Sequence, residues 1–346
     1  MKRWAGMMVV GLATLASAAE RASPILEWGG ILAKGRTQGL RLQAGLVTEF
    51  KGGVTETTRR LYEVTGAVES QARAQSYDIS DFDLKGPFGA AGLAVDMHWK
   101  FVRLRLDTMF LAPSVRTTAR RDYYLGVHDN IAYQGRHYDH MMIPDGTEFS
   151  AEVIGNVSEV VLSLVPVGLR IGDSVVVNPS LDAGLLLFGG QYEIDAGPVT
   201  GLTRYQNPPE DFVVGGKASG LVGMGAPEWG PSLAVRVEQP NGVAWDVSVS
   251  YLFLHYRGST SLFTTSSHRE KDLDFKHRNV RVRGQVEIPW REMAWVVGVQ
   301  AQMVDSKGAI ESSARTDEEV LARRERFDKE FKFGVESIYL SVGLLF

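Results

Sequence analysis

The sequence contains no cysteine among its 346 residues. That absence excludes disulfide bonds, thiolate metal sites, cysteine nucleophiles and a lipid-modified N-terminal cysteine. The chain also lacks an excess of positive charge. Its net charge is −4, which argues against a nucleic-acid partner because such a partner requires a basic surface. Beyond the N-terminus no stretch of about 18 apolar residues occurs, so we expect no helix that anchors the chain in an inner membrane.

The first 19 residues have the three parts of an export signal. Lys2 and Arg3 are positive, residues 7–15 are apolar or small, and residues 16–18 read Ala-Ser-Ala, a small-x-small cleavage site. The apolar run is too short to cross a bilayer as a helix. A buried N-terminal helix is the alternative, but the order of the three parts favours a signal peptide that directs the chain out of the cytoplasm.

Alternating polarity is the dominant pattern in the rest of the chain. In residues 92–99 and 102–112, apolar side chains occupy every second position and Asp, His or Arg side chains lie between them. A period of two predicts β-strands with one apolar and one polar face. Only Lys100 and Phe101 separate the two runs, which predicts a hairpin.

The same pairing recurs along the chain and predicts about ten strands, with eight or twelve as alternatives. Tight turns are expected at residues 172–173, 240–242 and 290–292, and the first and last strands at about 40–50 and 334–346. Long connections alternate with the tight turns. They cover residues 51–84, 115–146, 195–217, 258–272 and 307–327.

This organisation is typical of a transmembrane antiparallel up-and-down β-barrel with short periplasmic turns and long extracellular loops. Aromatic residues near the strand ends, such as Trp99, Trp245 and Trp290, suit interfacial girdles. The alternative is a soluble β-sandwich or lipocalin-like barrel, which would rarely tolerate such long strands. We therefore predict a signal peptide over residues 1–19, a periplasmic segment over 20–37 and a single β-barrel domain over 38–346.

The C-terminal residues carry a resemblance to a known class of proteins. The sequence GVESIYLSVGLLF places Ile338, Leu340 and Val342 on one face of a strand. It resembles the C-terminal assembly signal of bacterial outer-membrane β-barrel proteins, which the barrel assembly machinery reads. The residues that carry the resemblance are Gly334, Tyr339, Leu344 and Phe346. The resemblance implies that the last strand is recognised by the assembly machinery and also closes the barrel by pairing with the first strand.

When alternate residues of each predicted strand are assigned to the inner face, a mixed set of positive and negative charges lies inside the barrel. Acids and arginines are nearly balanced, whereas a selective pore more often shows rings of one sign. Eight strands make a barrel that side chains just fill, and an open channel needs about 16. A largely filled lumen is therefore expected, with a narrow channel as the alternative. The expected lumen network is Asp96, His98, Arg103, Arg105, Asp107, Asp182, Arg236, Asp246, Arg281, Arg283 and Glu287.

The loops carry the remaining candidates for chemistry. The second loop holds several His and Asp residues, but its His137-x2-His140 spacing would bring both rings to one face only in a helix. A solvated surface is the more common outcome for such a loop, so no metal site and no cofactor are expected. The weak candidates for catalysis are His140, Asp139, Asp272 and His268.

Strand number and topology are also similar to those of the omptins, outer-membrane proteases with ten strands. In that family an Asp pair faces an Asp-x-His pair across the barrel mouth. Here the fourth loop has Asp272-x-Asp274 in place of Asp-x-His, and the second loop has the adjacent pairs His128-Asp129 and Asp139-His140. The similarity therefore covers the barrel and not the catalytic motif.

The sequence favours a non-enzymatic outer-membrane protein that acts as a structural or surface-interaction protein through its loops. A narrow, porin-like channel is the alternative, and an omptin-like protease is the second alternative. The expected partners are outer-membrane lipid, lipopolysaccharide and the barrel assembly machinery, and the ligand outside the cell is open.

Overall fold

The computed structural model describes residues 25–28, 38–64, 67–78, 83–84, 86–99, 101–121, 123–124, 131–133, 136–138, 140–196, 201–205, 210–214, 217–260, 271–312 and 325–346. The strands of this part of the chain are β1 (Ile25–Trp28), β2 (Gln38–Val64), β3 (Ala67–Asp78), β4 (Phe88–Trp99), β5 (Val102–Leu111), β6 (Ser114–Thr118), β7 (Tyr123–Tyr124), β8 (Ile131–Tyr133), β9 (Arg136–Tyr138), β10 (His140–Ile143), β11 (Glu148–Leu164), β12 (Val167–Ile171), β13 (Val175–Asp195), β14 (Gly201–Tyr205), β15 (Glu210–Val214), β16 (Lys217–Glu238), β17 (Ala244–Thr260), β18 (Lys271–Trp290), β19 (Met293–Ser312) and β20 (Glu325–Leu345). Within these ranges no helix is long and apolar enough to cross a membrane.

Ten of these strands form a closed ring of antiparallel neighbours, which confirms the predicted barrel. The ring runs β2, β4, β5, β11, β13, β16, β17, β18, β19, β20 and back to β2. The last strand closes it, because β20 pairs with β2 from Gly39 opposite Leu345 to Arg60 opposite Glu325. Backbone hydrogen bonds of 2.9 and 3.1 Å join Phe346 to Gln38 beyond that ladder. Closure leaves no free strand edge at the level of these bonds, as a membrane requires.

The two ends of the barrel differ in their connections. At one end, called the turn end, successive strands join through tight turns at residues 172–174, 239–243 and 291–292, and β4 and β5 are separated by two residues only, of which residue 101 lies in a turn. Gly172 and Gly242 lie in two of these turns with φ of 61° and 83°, a left-handed conformation that glycine adopts without strain. The opposite end is called the loop end. Its connections are long, as predicted.

The strands reach further into the predicted long loops than the sequence pattern indicated. β2 runs to Val64 and pairs with β3, and β18 begins at Lys271. Residues assigned to the first, fourth and fifth loops therefore belong in part to the barrel wall. Near the loop end β7, β10, β14 and β15 form a separate four-stranded sheet. β1, which lies in the segment predicted as periplasmic, pairs with β12 beside the turn at 172–174.

The strands reverse their polarity part of the way along their length, which the sequence analysis did not predict. In β18 near the turn end, Arg281 and Arg283 are buried inside the barrel, and the adjacent valines, Val280 and Val282, lie on the outer face. Near the loop end of the same strand, Leu273 and Phe275 are buried inside, and the charged residues next to them face outward. The same reversal occurs in β19 and β20. These strands therefore suit lipid in one half and water in the other.

The turn half of the outer wall is an apolar belt. On β18 it extends from Val280 to Trp290, about 33 Å along a strand at roughly 3.3 Å per residue. At a tilt of roughly 40° this gives a height of about 25 Å, the usual height of the apolar band of a membrane barrel. Exposed tryptophans lie at its turn end, as expected for an interfacial girdle. They are Trp99, Trp245, Trp290 and Trp295.

The belt can be tested with two arginine substitutions on the outer face of one strand. Val299→Arg places a charge inside the belt and is expected to destabilise the folded barrel by about 2–4 kcal/mol, while Ala309→Arg above it should cost about 0–1 kcal/mol. Both positions lie on β19 and face away from the interior. The measurement is the free energy of unfolding in urea with lipid vesicles present. Equal losses in the free energy of unfolding at the two positions would show that the belt ends elsewhere.

Candidate functional site: the barrel interior

A carboxylate surrounded by three guanidinium groups lies in the turn half of the interior. Asp96 on β4 accepts hydrogen bonds from Arg41 of β2, from Arg103 of β5 at 3.0 Å and from Arg283 of β18 at 3.4 Å. Asp96 and Arg41 are almost completely buried. Three cations around one anion make a tightly tied group, because each charge has an opposite neighbour in a region of low dielectric.

Glutamine and glutamate side chains extend this network around the lumen. Gln285 Oε1 accepts from Arg41 at 3.0 Å and from Arg283 at 2.6 Å, and its amide donates to Glu287 at 3.1 Å. Glu287 also accepts a hydrogen bond of 2.7 Å from Arg236. These contacts link β2 to β18 and β16, which are not neighbours in the ring.

A second charged level lies closer to the middle of the barrel. Glu159 on β11 forms an ion pair with Arg281 and lies 3.9 Å from Arg105. The amide of Gln302 donates to Glu159 at 3.0 Å, and Gln300 donates to Asp107 at 3.2 Å. Arg105 belongs to the neighbouring strand β5, whereas Arg281, Gln300 and Gln302 reach across the lumen from the opposite wall. The turn half of the barrel is therefore filled by paired charges.

A buried histidine connects three strands at the boundary between the two halves. His277 Nε2 on β18 lies 2.8 Å from Glu228 Oε2 on β16, and His277 Nδ1 lies 2.7 Å from Ser306 Oγ on β19. Asn279 donates to the same glutamate at 3.0 Å. These residue types resemble a hydrolytic triad. However, Ser306, which carries the hydroxyl group, has an exposed fraction of 0%. These contacts therefore join β16, β18 and β19 and present no accessible nucleophile.

The position of this histidine has a structural reason in the wall. β16 and β17 pair from Glu238 opposite Ala244 up to Trp229 opposite Phe253, and among the described residues no pairing continues above that level. Gly230 allows the close approach below the split, because a Cβ there would lie 2.0 Å from the Tyr251 carbonyl oxygen. The bonds from Glu228 to His277 and Asn279 join β16 to β18 behind the split.

The loop half of the interior is an apolar core. Phe50 on β2 is nearly fully buried, and its ring centroid lies 5.9–6.0 Å from those of Phe88, Phe188 and Phe333. Phe188 and Phe333 also contact each other, with 4.8 Å between ring centroids. The core continues with buried aliphatic residues from the surrounding strands. They include Val47, Met109, Leu111, Val153, Leu186, Val304 and Val335.

The interior is thus closed by two layers of different chemistry. The residues expected to line the lumen lie on inward-facing strand positions in the turn half, and eight of the eleven are buried. The other three, His98, Arg103 and Asp246, are half-buried. Several members of the network were missed in the sequence. They are Arg41, Glu228, His277, Asn279 and Ser306.

Arg41 lies on the first strand, whose apolar face is the stronger signal in the sequence. Glu228 stands in a Gly- and Pro-rich stretch where alternation is hard to recognise, and His277 lies just beyond the fourth long connection predicted over residues 258–272. The signal that could have found His277 is the continuous alternation from Leu273 to Glu287 on β18.

The weak candidates for catalysis are not brought together by the described residues. Asp139 and His268 lie outside these residues, and for His140 only the backbone of β10 is described. Asp272 is exposed on β18, opposite Glu311 of β19 in register. Among the described residues no group of three or more His, Asp or Glu side chains could hold a metal ion.

Comparisons with known proteins add similarity of fold only. No protein-family model matches the chain, and no curated protein matches it. The outer membrane protease OmpT from Escherichia coli is 7% identical, with a TM-score of 0.32 and coverage of 88% of this chain and 96% of that one. The Pseudomonas putida toluene transporter TodX is 7% identical, with a TM-score of 0.22 and coverage of 88% and 89%. The beta domain of the Bordetella autotransporter BrkA is 7% identical, with a TM-score of 0.19 and coverage of 86% and 98%. At these scores none of the three bears on what this chain does.

Proposed function

We propose that this protein is a closed, non-conducting outer-membrane barrel that acts as a structural or surface-interaction protein. The apolar belt provides the surface that lipid requires, and the wall continues beyond the belt with a charged outer face. That continuation holds the loop end clear of the lipid, where a partner can reach it. Loops on a rigid support are the usual place for binding.

The observation that carries this proposal is the double filling of the lumen. Ions that passed the charged layer around Asp96 and Glu159 would then meet the aromatic rings around Phe50. An apolar constriction excludes water and ions without any charged gate. Removing charges from the turn half would therefore leave the apolar layer in place.

Conductance of the refolded mature protein in a planar bilayer tests the proposal. We expect no unitary currents from the natural sequence, and none from an Arg103→Ala, Arg281→Ala variant, because the aromatic layer is intact in both. A general porin inserted in the same way is the positive control, and heat-dependent mobility in gel electrophoresis checks that each barrel is folded. Unitary currents from the folded natural protein would overturn the proposal, and currents altered in the variant would assign a pore to the charged network.

A further inference from the structure

Three uncharged polar side chains lie next to each other on the outer wall of β5 and β11. Thr108 of β5 is directly opposite Ser158 of β11, and Asn156 is the next outward residue of β11. Met109 and Val157, which lie beside them along the two strands, are buried inside the barrel, so the three polar side chains face outward. These three residues are called the polar patch.

Apolar side chains enclose the polar patch along both strands. Toward the loop end Phe110 and Ile154 are 56% and 59% exposed, and toward the turn end Val160 is exposed as well. The order is different on the opposite wall, where the outward residues of β18 change directly from Val280 to the charged Arg278. The polar patch therefore interrupts an apolar surface that continues above it.

Neither lipid nor water suits this part of the outer wall. In lipid, hydroxyl and amide groups that lack partners are costly because hydrocarbon forms no hydrogen bonds. In water, the exposed apolar side chains of Phe110 and Ile154 are costly instead. The core of a protein interface combines apolar surface with a few uncharged hydrogen-bonding groups. The composition of this wall therefore fits contact with another protein.

The side-chain amide of Asn156 has hydrogen-bonding capacity left over. Its Nδ2 donates to Ser158 Oγ at 2.8 Å, and Ser158 Oγ also contacts Thr108 Oγ1. Among the described residues no hydrogen bond reaches Asn156 Oδ1, although an amide oxygen can accept two. The residue opposite is Gly189, and a Cβ there would lie 3.6 Å from that oxygen and have no other neighbour within 4 Å. The glycine therefore leaves the amide open to a partner from outside.

We propose that the polar patch is the contact between two copies of this protein that lie side by side in the membrane. Two copies inserted in the same direction are related by a two-fold axis along the membrane normal, which keeps each residue at its own height. Asn156 of one copy therefore meets the level of Asn156 in the other. Because a carboxamide both donates and accepts, the two amides can form a reciprocal pair of hydrogen bonds, and no charge opposes the contact.

The surfaces on either side of the patch complement each other under the same rotation. A two-fold axis through Asn156 places the β5 side of one copy against the β13 side of the other. The protruding ring of Phe110 then faces the depression that Gly189 leaves on β13. Small residues that allow close approach and polar groups that bond across the contact are common where proteins associate in membranes.

Cross-linking through single cysteines tests the geometry, because the natural sequence contains no cysteine and every thiol is an introduced one. Ile154→Cys lies beside Asn156 on the same outward face. A short bifunctional thiol reagent should link it into a dimer in the refolded protein in lipid vesicles. The matched control is Val299→Cys on β19, on the opposite wall of the ring, where the two thiols of such a dimer lie on its far sides. Equal cross-linking at the two positions would overturn the proposal, because it would reflect random collision.

Energy transfer between donor-labelled and acceptor-labelled copies in vesicles measures the strength of the contact. Glu292→Cys carries the label in the turn at residues 291–292, away from the patch. Asn156→Leu in this background should raise the protein-to-lipid ratio needed for half-maximal association by about tenfold, because the reciprocal hydrogen bonds are lost. Ala301→Leu enlarges an outward side chain on the opposite wall and should leave that ratio unchanged. Equal association of the Asn156→Leu variant and its parent would overturn the proposal.

The stability of the dilute monomer separates this contact from a role confined to joining β5 to β11. In excess detergent the Asn156→Leu variant is expected to be at least as stable to urea as the natural protein, because an outward amide with an unbonded oxygen is removed. Heat-dependent mobility in gel electrophoresis checks that each variant is folded. A less stable monomer with unchanged energy transfer would assign the patch to strand pairing and overturn the proposal.

The natural sequence itself provides the last outcome. Folded natural protein that shows no energy transfer at any protein-to-lipid ratio would also overturn the proposal, and a different membrane protein would then be the partner to seek. The contact between copies goes beyond the proposed function and does not depend on whether the lumen conducts. Bilayer recordings and association measurements can therefore fail independently of each other.

Discussion

Replacing Asp96 with asparagine is expected to destabilise the folded barrel by about 3–5 kcal/mol, the usual cost of removing one partner from a buried ion pair. The carboxylate is 3% exposed and contacts Arg41, Arg103 and Arg283. Asparagine keeps the shape of the side chain but removes its negative charge. The three guanidinium groups would then remain close together without their common partner, and the penalty for burying them would no longer be offset.

The comparison for this substitution is Glu148→Gln on the outer surface. Glu148 pairs with Arg116 at 3.1 Å, and both side chains are largely exposed, so its loss should cost less than about 1 kcal/mol. The free energy of unfolding in urea with lipid vesicles present measures both changes. Equal costs for Asp96→Asn and Glu148→Gln would show that water reaches the charged layer freely, which would also weaken the proposal that the lumen is closed.

Replacing Phe50 with alanine is the second change with a large expected effect, about 3–5 kcal/mol of stability. Phe50 is 1% exposed and its ring contacts those of Phe88, Phe188 and Phe333. The substitution removes the ring at the centre of the apolar layer and leaves a cavity that the rigid barrel wall cannot close by collapsing. Destabilisation is expected without any change in the charged layer below.

Phe50→Leu separates packing from other effects at the same position. Leucine fills much of the same space, and swaps that nearly conserve volume usually cost less than about 1.5 kcal/mol. The unfolding free energies of the two variants should therefore differ by at least about 1.5 kcal/mol. Similar and small costs for both variants would mean that the loop half of the lumen contains water and not a packed core.

The reversal of polarity along β18, β19 and β20 links these expectations. One set of ten strands forms two environments, an apolar-outside barrel in lipid and an apolar-inside barrel above it. Changes near the turn end should therefore act through charge, as Asp96→Asn does. Changes near the loop end should act through packing, as Phe50→Ala does.

Much of the barrel could be predicted from the sequence because strand alternation is a local property. The side chains of residues 92–99 and 102–112 alternate whatever the rest of the chain does, and two residues between them are enough for a turn. The pairing of the last strand with the first follows from closure, which a membrane requires of any sheet that crosses it. The inward-facing charges from Asp96 to Glu287 could also be predicted, because alternate residues of a strand face the same side.

The sequence by itself determined the barrel strands near the turn end, their order and which face of each carries charge there. Only the tertiary structure decided which charges meet, since Arg41 and Arg283 reach Asp96 from strands that are far apart in the sequence. It also decided that the apolar faces of the loop half point inward. Alternation defines two faces of a strand but does not tell which of them contacts lipid. Along β18 the apolar face points outward near the turn end and inward near the loop end. Lys276, Lys307 and Lys332 likewise become neighbours only through register, when three separate strands are aligned.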